Sequence, residues 1–181
     1  LFAMFRRKPD PAVAKLYEAM VAASRQPVFY AQGQVPDSID GRFDLMLLHA
    51  FLLFYRLRSQ HGALAQQVFD MMFAHLDLSL REIGVGDTGV SKRIKHMGQS
   101  FYGRMAAYES ALSDDVKLKA ALSYNLFGTL ENEPDNRVMQ AFVRYVRASL
   151  NAMAQQPDDD IRHGFIKFAD FEVHDEKEHS A

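Results

Sequence analysis

The stretch GVGDTGVSKRIKHMGQSFYGR, Gly84 to Arg104, sets Gly84, Gly86 and Gly89 in a GxGxxG spacing and follows them with Lys92, Arg93 and Lys95. Glycines so spaced let a backbone close on a pyrophosphate where a strand runs in and a helix runs out, so that the phosphates rest on the helix N-terminus. Here the preceding residues read HLDLSLREI, continuous with a helical apolar stripe, and Asp87 puts a carboxylate where phosphate would sit. Gly89 is followed by Val90 and Ser91, not by a Walker lysine. The stretch therefore reads as a tight helix–helix connection. Gly84 ends one helix in a left-handed conformation, Gly86 and Gly89 permit the reversal, and Asp87 or Ser91 caps the next helix.

Other residue types that do chemistry are scattered. The chain has no cysteine, which excludes disulfides, iron–sulfur clusters, thiolate zinc sites and a catalytic thiol. His75 and Asp77 lie two apart, so on a helix their side chains diverge. A di-iron bundle needs ExxH pairs on facing helices. That spacing is missing from the apolar helices, and the tail EVHDEKEH carries the letters without the context. His49, alone among apolar neighbours, reads as a core histidine that needs a hydrogen-bond partner. No paired carboxylates and no nucleophile with a base emerge, so no catalytic residue, metal ligand or cofactor site is assigned. An enzyme built around a hidden helical pocket remains as an alternative class.

The elements that position these residues are helical. The 181 residues fit one domain; 48% are hydrophobic, with fourteen Phe and nine Met, and only six prolines and ten glycines interrupt them. Apolar residues recur every three or four positions almost throughout. The spacing predicts helices from Pro11 to Ser24, from Asp40 or Gly41 to about His61, from Ala63 to Ile83, from Val90 or Ser91 to Leu112, from Asp115 to Leu130 behind an Asp114 cap, and from Arg137 to Gln156. QPVFYAQGQVPDSIDGR reads as a loop and ENEPDN as a break. FDLMLLHAFLLFYRL is interrupted by Asp44, His49 and Arg56 and falls short of the ~20 residues of a membrane span. It is expected to be the buried central helix. The expectation is an all-α protein, a single helical domain of about six helices over residues 1–157, with a short, partly extended acidic tail over 158–181. That tail holds eight acids against Arg162, Lys167 and Lys177. Its GFIKFADFEV piece is expected to lie as an extended strip on the helices, with HDEKEHSA frayed. At the other end LFAMFRRK reads as a frayed terminus with Met4 a candidate start and MFRRK a weak basic contact for a membrane surface.

The net charge of −2 predicts no strong attraction to nucleic acid, and no DNA partner is expected. Yet Thr88 to Tyr108 contains no acid, while Lys92, Arg93, Lys95 and Arg104 give it +4. Val90, Ile94, Met97, Phe101, Met105, Tyr108 and Leu112 should face the core, which turns Lys92, Lys95, His96, Gln99 and Gly103 outward, with Arg93 to one flank. This is either a solvated basic face or an interaction surface for RNA, lipid headgroups or acidic peptide.

LDLSLREIGVGDTGVSKRIKHMGQSFYGRMAAYESAL, Leu76 to Leu112, resembles the signature region of the ubiquinol–cytochrome c chaperone family. VPDSIDGRFDLMLLHAFLL, Val35 to Leu53, is similar to that family's other recognisable block, and with LYEAMVAASRQPVFY the resemblance spans about Ala14 to Leu150. It implies an α-helical, non-catalytic factor that assists assembly of the cytochrome bc complex, respiratory complex III, by binding newly made cytochrome b. It also implies an accessory assembly subunit or a ribosome nearby, and peripheral membrane contact. With no transit segment ahead of the domain, the expected place is the bacterial cytoplasm at the inner membrane; eukaryotic relatives work at the matrix face. The family supplies no catalytic residues. Its signature positions fall here on Gly41, Arg42, Phe43, Asp44, Arg81, Glu82, Gly84, Gly86, Asp87, Phe101 and Gly103. Lys92, Arg93, Lys95, Tyr102 and Arg104 are the expected partner-binding residues. The alternative is an RNA- or ribosome-binding helical module using the basic helix around residues 91–104.

Overall fold

The computed structural model describes residues 10–131 and 134–174. The expectations for LFAMFRRK, for the centre of ENEPDN and for most of HDEKEHSA, including its ExxH letters, fall outside them. Among the described residues the chain forms six long helices and two short ones, and no strand. They are α1 Pro11–Ser24, α2 Val28–Ala31, α3 Ile39–Leu57, α4 Gly62–Glu82, α5 Asp87–Ala111, α6 Asp115–Phe127, α7 Asn136–Gln155 and α8 Asp158–Arg162.

Local chemistry fixes several ends. Asp10 accepts from the Ala12 N–H at 2.9 Å with Pro11 in the first turn; Ser38 accepts from the Gly41 N–H at 3.1 Å; Asp114 and Asp135 cap α6 and α7. Gly41 has no side chain because the α3 backbone passes close to Pro36: a Cβ there would lie 2.1 Å from its carbonyl oxygen. Two departures from the sequence reading stand out. The expected loop before α3 contains a helical turn, α2, that carries Phe29 into the core. The tail begins with another, α8, before it becomes extended.

α3 is the hub. Leu45, Leu47, Leu48, Ala50, Phe51, Leu52, Leu53 and Leu57 are all buried along it, as expected for a central helix. Around it α1, α4, α5, α6 and α7 stand in that spatial order, each packed on its neighbour and on α3. One set of core residues joins α3 to α1, α4 and α5, and another joins it to α5, α6 and α7. Between α7 and α1 the ring is closed by α2, α8 and the tail. No helix among the described residues is long and apolar enough to cross a membrane.

Candidate functional site

The glycine stretch forms the connection between α4 and α5. Gly84 has φ +86°, its N–H donates to the Arg81 carbonyl at 2.9 Å, and the Val85 N–H donates to the Leu80 carbonyl at 3.0 Å. This pair of bonds ends α4 with a left-handed residue, the role glycine fills without steric cost. The next helix starts earlier than its sequence suggested. Gly86 occupies the cap position without a side-chain bond, Asp87 lies in the first turn, and Gly89 is already helical. Neither Asp87 nor Ser91 is the cap. Instead Asp87 pairs with Arg81, whose Nε also donates to Asp77 at 2.6 Å, so one guanidinium ties both ends of the turn. A carboxylate at the α5 N-terminus leaves the turn without the chemistry of a phosphate cradle.

Beyond the turn, Lys92, Arg93, Lys95 and His96 are exposed, and none forms an ion pair with a described residue. Gln99 and Gly103 continue that outer face. Tyr102 is 64% exposed, with its ring edge-on to buried Phe101 at 5.2 Å and 6.0 Å from Phe69. It sits at the wet end of an aromatic row formed by Phe54, Phe69, Phe73 and Phe101. The expected apolar stripe of α5 is only partly covered: Val90, Phe101 and Tyr108 are buried, but Ile94, Met97, Met105 and Leu112 are half-buried. On the same hairpin Leu78 is 53% and Ile83 67% exposed. Of the methionines, Met72 is buried, whereas Met46, Met71, Met97 and Met105 are half-buried on this side.

Arg104 departs from the surface group. It reaches inward to pair with Asp44 of α3, and both side chains are largely buried. Its Nε and the hydroxyl of neighbouring Tyr108 have no hydrogen-bond partner. Burial pushes the Asp44 carboxyl up to about 6, with Arg104 pulling down and Asp40 adding a little upward. Burial likewise pushes the Tyr108 phenol up. The signature residues thus divide. Asp44, Arg81, Gly84, Gly86, Asp87 and Phe101 shape the hairpin and dock it on α3, Gly41 lets the start of α3 pass Pro36, and Arg42 pairs with Asp37 at 2.7 Å. Glu82 and Gly103 are exposed, and a Cβ on Gly103 would meet nothing.

His49 is fully buried and satisfied. Its Nδ1–H donates to the Leu45 carbonyl at 2.8 Å, which leaves Nε2 to accept the Tyr145 hydroxyl at 2.7 Å. Burial holds its pKa down at about 4, the Leu45 bond opposing. Ser149, one turn further along α7, is also buried, and its Oγ accepts from the Ala169 N–H at 3.1 Å. The His49–Tyr145 pair escaped sequence reasoning; its signal was a histidine on α3 and a tyrosine on α7, both within apolar stripes.

Among the described residues no three metal-ligating side chains converge. An open depression of about 480 Å³ lies between the C-terminal ends of α3 and α7. Its Arg56 is spent on the chain itself, donating to the Met153 and Gln156 carbonyls at 2.8 and 3.2 Å and to Asp158. Neither arrangement pairs a nucleophile with a base.

Residues 31–168 match the family model described as ubiquinol–cytochrome C chaperone. The crystal structure of the Cbp3 homolog from Brucella abortus superposes with a TM-score of 0.79 at 39% identity, over 93% of this chain and 96% of that one. Ubiquinol–cytochrome c reductase complex assembly factor 1 of Mus musculus is 25% identical over 83% of this chain and 52% of its own length. Protein CBP3, mitochondrial, of Saccharomyces cerevisiae is 27% identical over 84% and 47%. The chain spans about half the length of these two curated relatives. With three quarters of its residues matched by the model and a neighbour sharing both fold and sequence over nearly all of it, the chain belongs to the ubiquinol–cytochrome c chaperone family.

Proposed function

We propose that this protein is a non-catalytic assembly chaperone of ubiquinol–cytochrome c reductase, respiratory complex III, which binds newly made cytochrome b and acts peripherally at the cytoplasmic face of a bacterial inner membrane. The observation that carries this reading is family membership, supported along almost the whole chain by likeness to the Brucella Cbp3 homolog. Partner contact is assigned to the outer face of α5, through Lys92, Arg93, Lys95 and Tyr102. Exposed cations without acidic partners, beside an exposed aromatic and half-covered methionines, suit a surface that meets both polar loops and apolar segments. Arg104 serves that surface indirectly, by fixing α5 against α3.

The test is crosslinking and copurification of tagged protein from respiring cells, with a folded Lys92/Arg93/Lys95→Glu variant alongside. Cytochrome b is expected with the wild type and lost with the variant. Capture by both would move the contact surface elsewhere. Recovery of RNA instead, with steep salt dependence, would favour the second reading, a ribosome- or RNA-binding module, for which the unpaired cations are the observation.

A further inference from the structure

The tail after α8 is held in a way that packing alone does not require. Past Gly164 it runs without helix or strand, back along α7. Its backbone is read by side chains. The Gln156 carboxamide donates to the Phe165 carbonyl at 3.0 Å and accepts from the Lys167 N–H at 3.2 Å, and Ser149 Oγ accepts from the Ala169 N–H at 3.1 Å. One carboxamide thus offers the donor and acceptor that a neighbouring strand would offer. The spacing is matched too. Phe165 to Phe171 in extended form covers about 20 Å, and Phe142 to Gln156 along α7 covers about 21 Å.

Side chains alternate from Phe165 to Phe168, and the phase shifts at Ala169 so that Phe171 also turns inward. Ile166 and Phe168 turn inward while Phe165, Lys167 and Asp170 face out. Phe168 lies 5.2 Å from the His49 ring. Phe171 enters a slot between Phe142 at 4.6 Å, Phe29 at 4.8 Å and Tyr145 at 5.8 Å. Behind the tail, the buried Tyr145 hydroxyl bonds to His49 Nε2, and His49 Nδ1 to the Leu45 carbonyl, so the wall beside Ser149 is fixed by polar contacts of α3 and α7. The floor of the groove is therefore built by α2, α3 and α7, and the tail supplies only the occupant.

We propose that this α7 groove is a binding site for an extended polypeptide segment with bulky apolar residues at the spacing of Ile166, Phe168 and Phe171, and that the chain's own tail fills it until a partner's segment displaces it. The tail displays the ligand chemistry the groove accepts, and a chaperone's client offers such segments while still extended. The identity of the partner as a client rests on the assembly-chaperone reading; the groove does not.

The test titrates a labelled peptide of residues 165–174, FIKFADFEVH, into the full chain and into two full-chain variants, Phe171→Ala and Ala169→Pro. Each weakens the tethered tail through a different contact and leaves the groove's walls intact. Tethering gives the tail a high effective concentration, so the wild type should bind the peptide weakly and the variants about tenfold more tightly or better. A peptide with both Phe168 and Phe171 replaced by alanine should lose that gain. The proposal is overturned if either variant, helical by circular dichroism, binds no better than wild type, or if the doubly substituted peptide binds equally well. Loss of helical structure in both variants would also overturn it, because the tail would then be part of the fold and not an exchangeable occupant. Peptide binding without cytochrome b capture in cells would sink the functional reading and leave the groove standing; the reverse would sink the groove alone.

Discussion

The two sides of α3 are built differently. Toward α7 and the tail, Phe29, Phe142, Tyr145, Val146 and Phe171 are buried, and the polar side chains there have partners, Tyr145 on His49 and Ser149 on the Ala169 N–H. Toward the far half of the α4–α5 hairpin, Leu80 and Val90 are buried, while Leu76, Ile94 and Met97 are half-covered and Leu78 and Ile83 face solvent. Further along α5 the largely buried Asp44–Arg104 pair docks the helix on α3, and Arg104 Nε and the Tyr108 hydroxyl beside it have no partners. Burial that satisfies its polar groups stabilises and specifies, whereas half-burial with orphaned donors holds an element in place weakly. The first side is closed and its polar groups are partnered; the second leaves apolar and basic side chains at the surface.

The largest test of that contrast is truncation of equivalent residues on the two sides. Phe142→Ala should cost about 3–5 kcal/mol, the usual range for a fully buried phenylalanine. Phe73→Ala on the hairpin, half-buried, should cost about 1 kcal/mol. Urea denaturation of both variants measures the difference, and equal losses would break the comparison.

Next in size is Arg104→Met. Removing one partner of a largely buried pair should cost about 3 kcal/mol at pH 8, because Asp44 is left charged and uncompensated. Asp44 has a folded pKa of about 6, raised above the ordinary carboxylate value. A group so raised destabilises the fold above that pKa and is relieved as protons bind; without the downward pull of Arg104 the carboxyl protonates at still higher pH, so the cost of Arg104→Met should shrink as pH falls toward 6. His49 runs the other way. Its folded value of about 4 lies below the ordinary histidine value, so the wild type loses stability as pH falls from about 6.5 toward 4. The two groups oppose each other over that window, and Asp44→Asn should steepen the acid loss. A flat pH profile in that variant would show that His49 finds a way to charge within the core.

What was legible in the sequence follows from the range of the interactions. Long helices announced themselves through an apolar repeat, and α3 through the density of that repeat, because both depend on neighbours three or four positions away. α2 was hidden: four residues between Pro27 and Gly33 are too few for a period to register. The α5 start was misplaced because Gly89 reads as a turn residue, whereas the helix begins at Asp87, whose acid suits a helix N-terminus. The unpaired character of Lys92, Arg93 and Lys95 could be read from the absence of nearby acids. Arg104 could not be told apart from them, since Asp44, which draws it inward, lies sixty positions away. The tail's extended course was readable from its closely spaced bulky residues, Phe165 to Val173; its reading by Gln156 and Ser149 was not.

The smallest expected effect on stability sharpens the comparison most. Reversing Lys92, Arg93 and Lys95 to glutamate touches no ion pair and no buried atom, so stability should change by no more than about 0.5 kcal/mol. The first turns of α5 even favour negative charge through the helix dipole, which offsets part of any loss. Thermal unfolding of the triple variant should therefore overlay the wild type while cytochrome b capture falls. Surface charges are screened by salt, so whatever these cations hold should weaken as salt rises, whereas the apolar contacts around Phe142 should not. A drop of several degrees in Tm for the triple variant would mean that these side chains hold the hairpin to the body. The basic face would then belong with the buried side of α3, and the partner surface would have to be sought elsewhere, first along the exposed aliphatic residues Leu78 and Ile83.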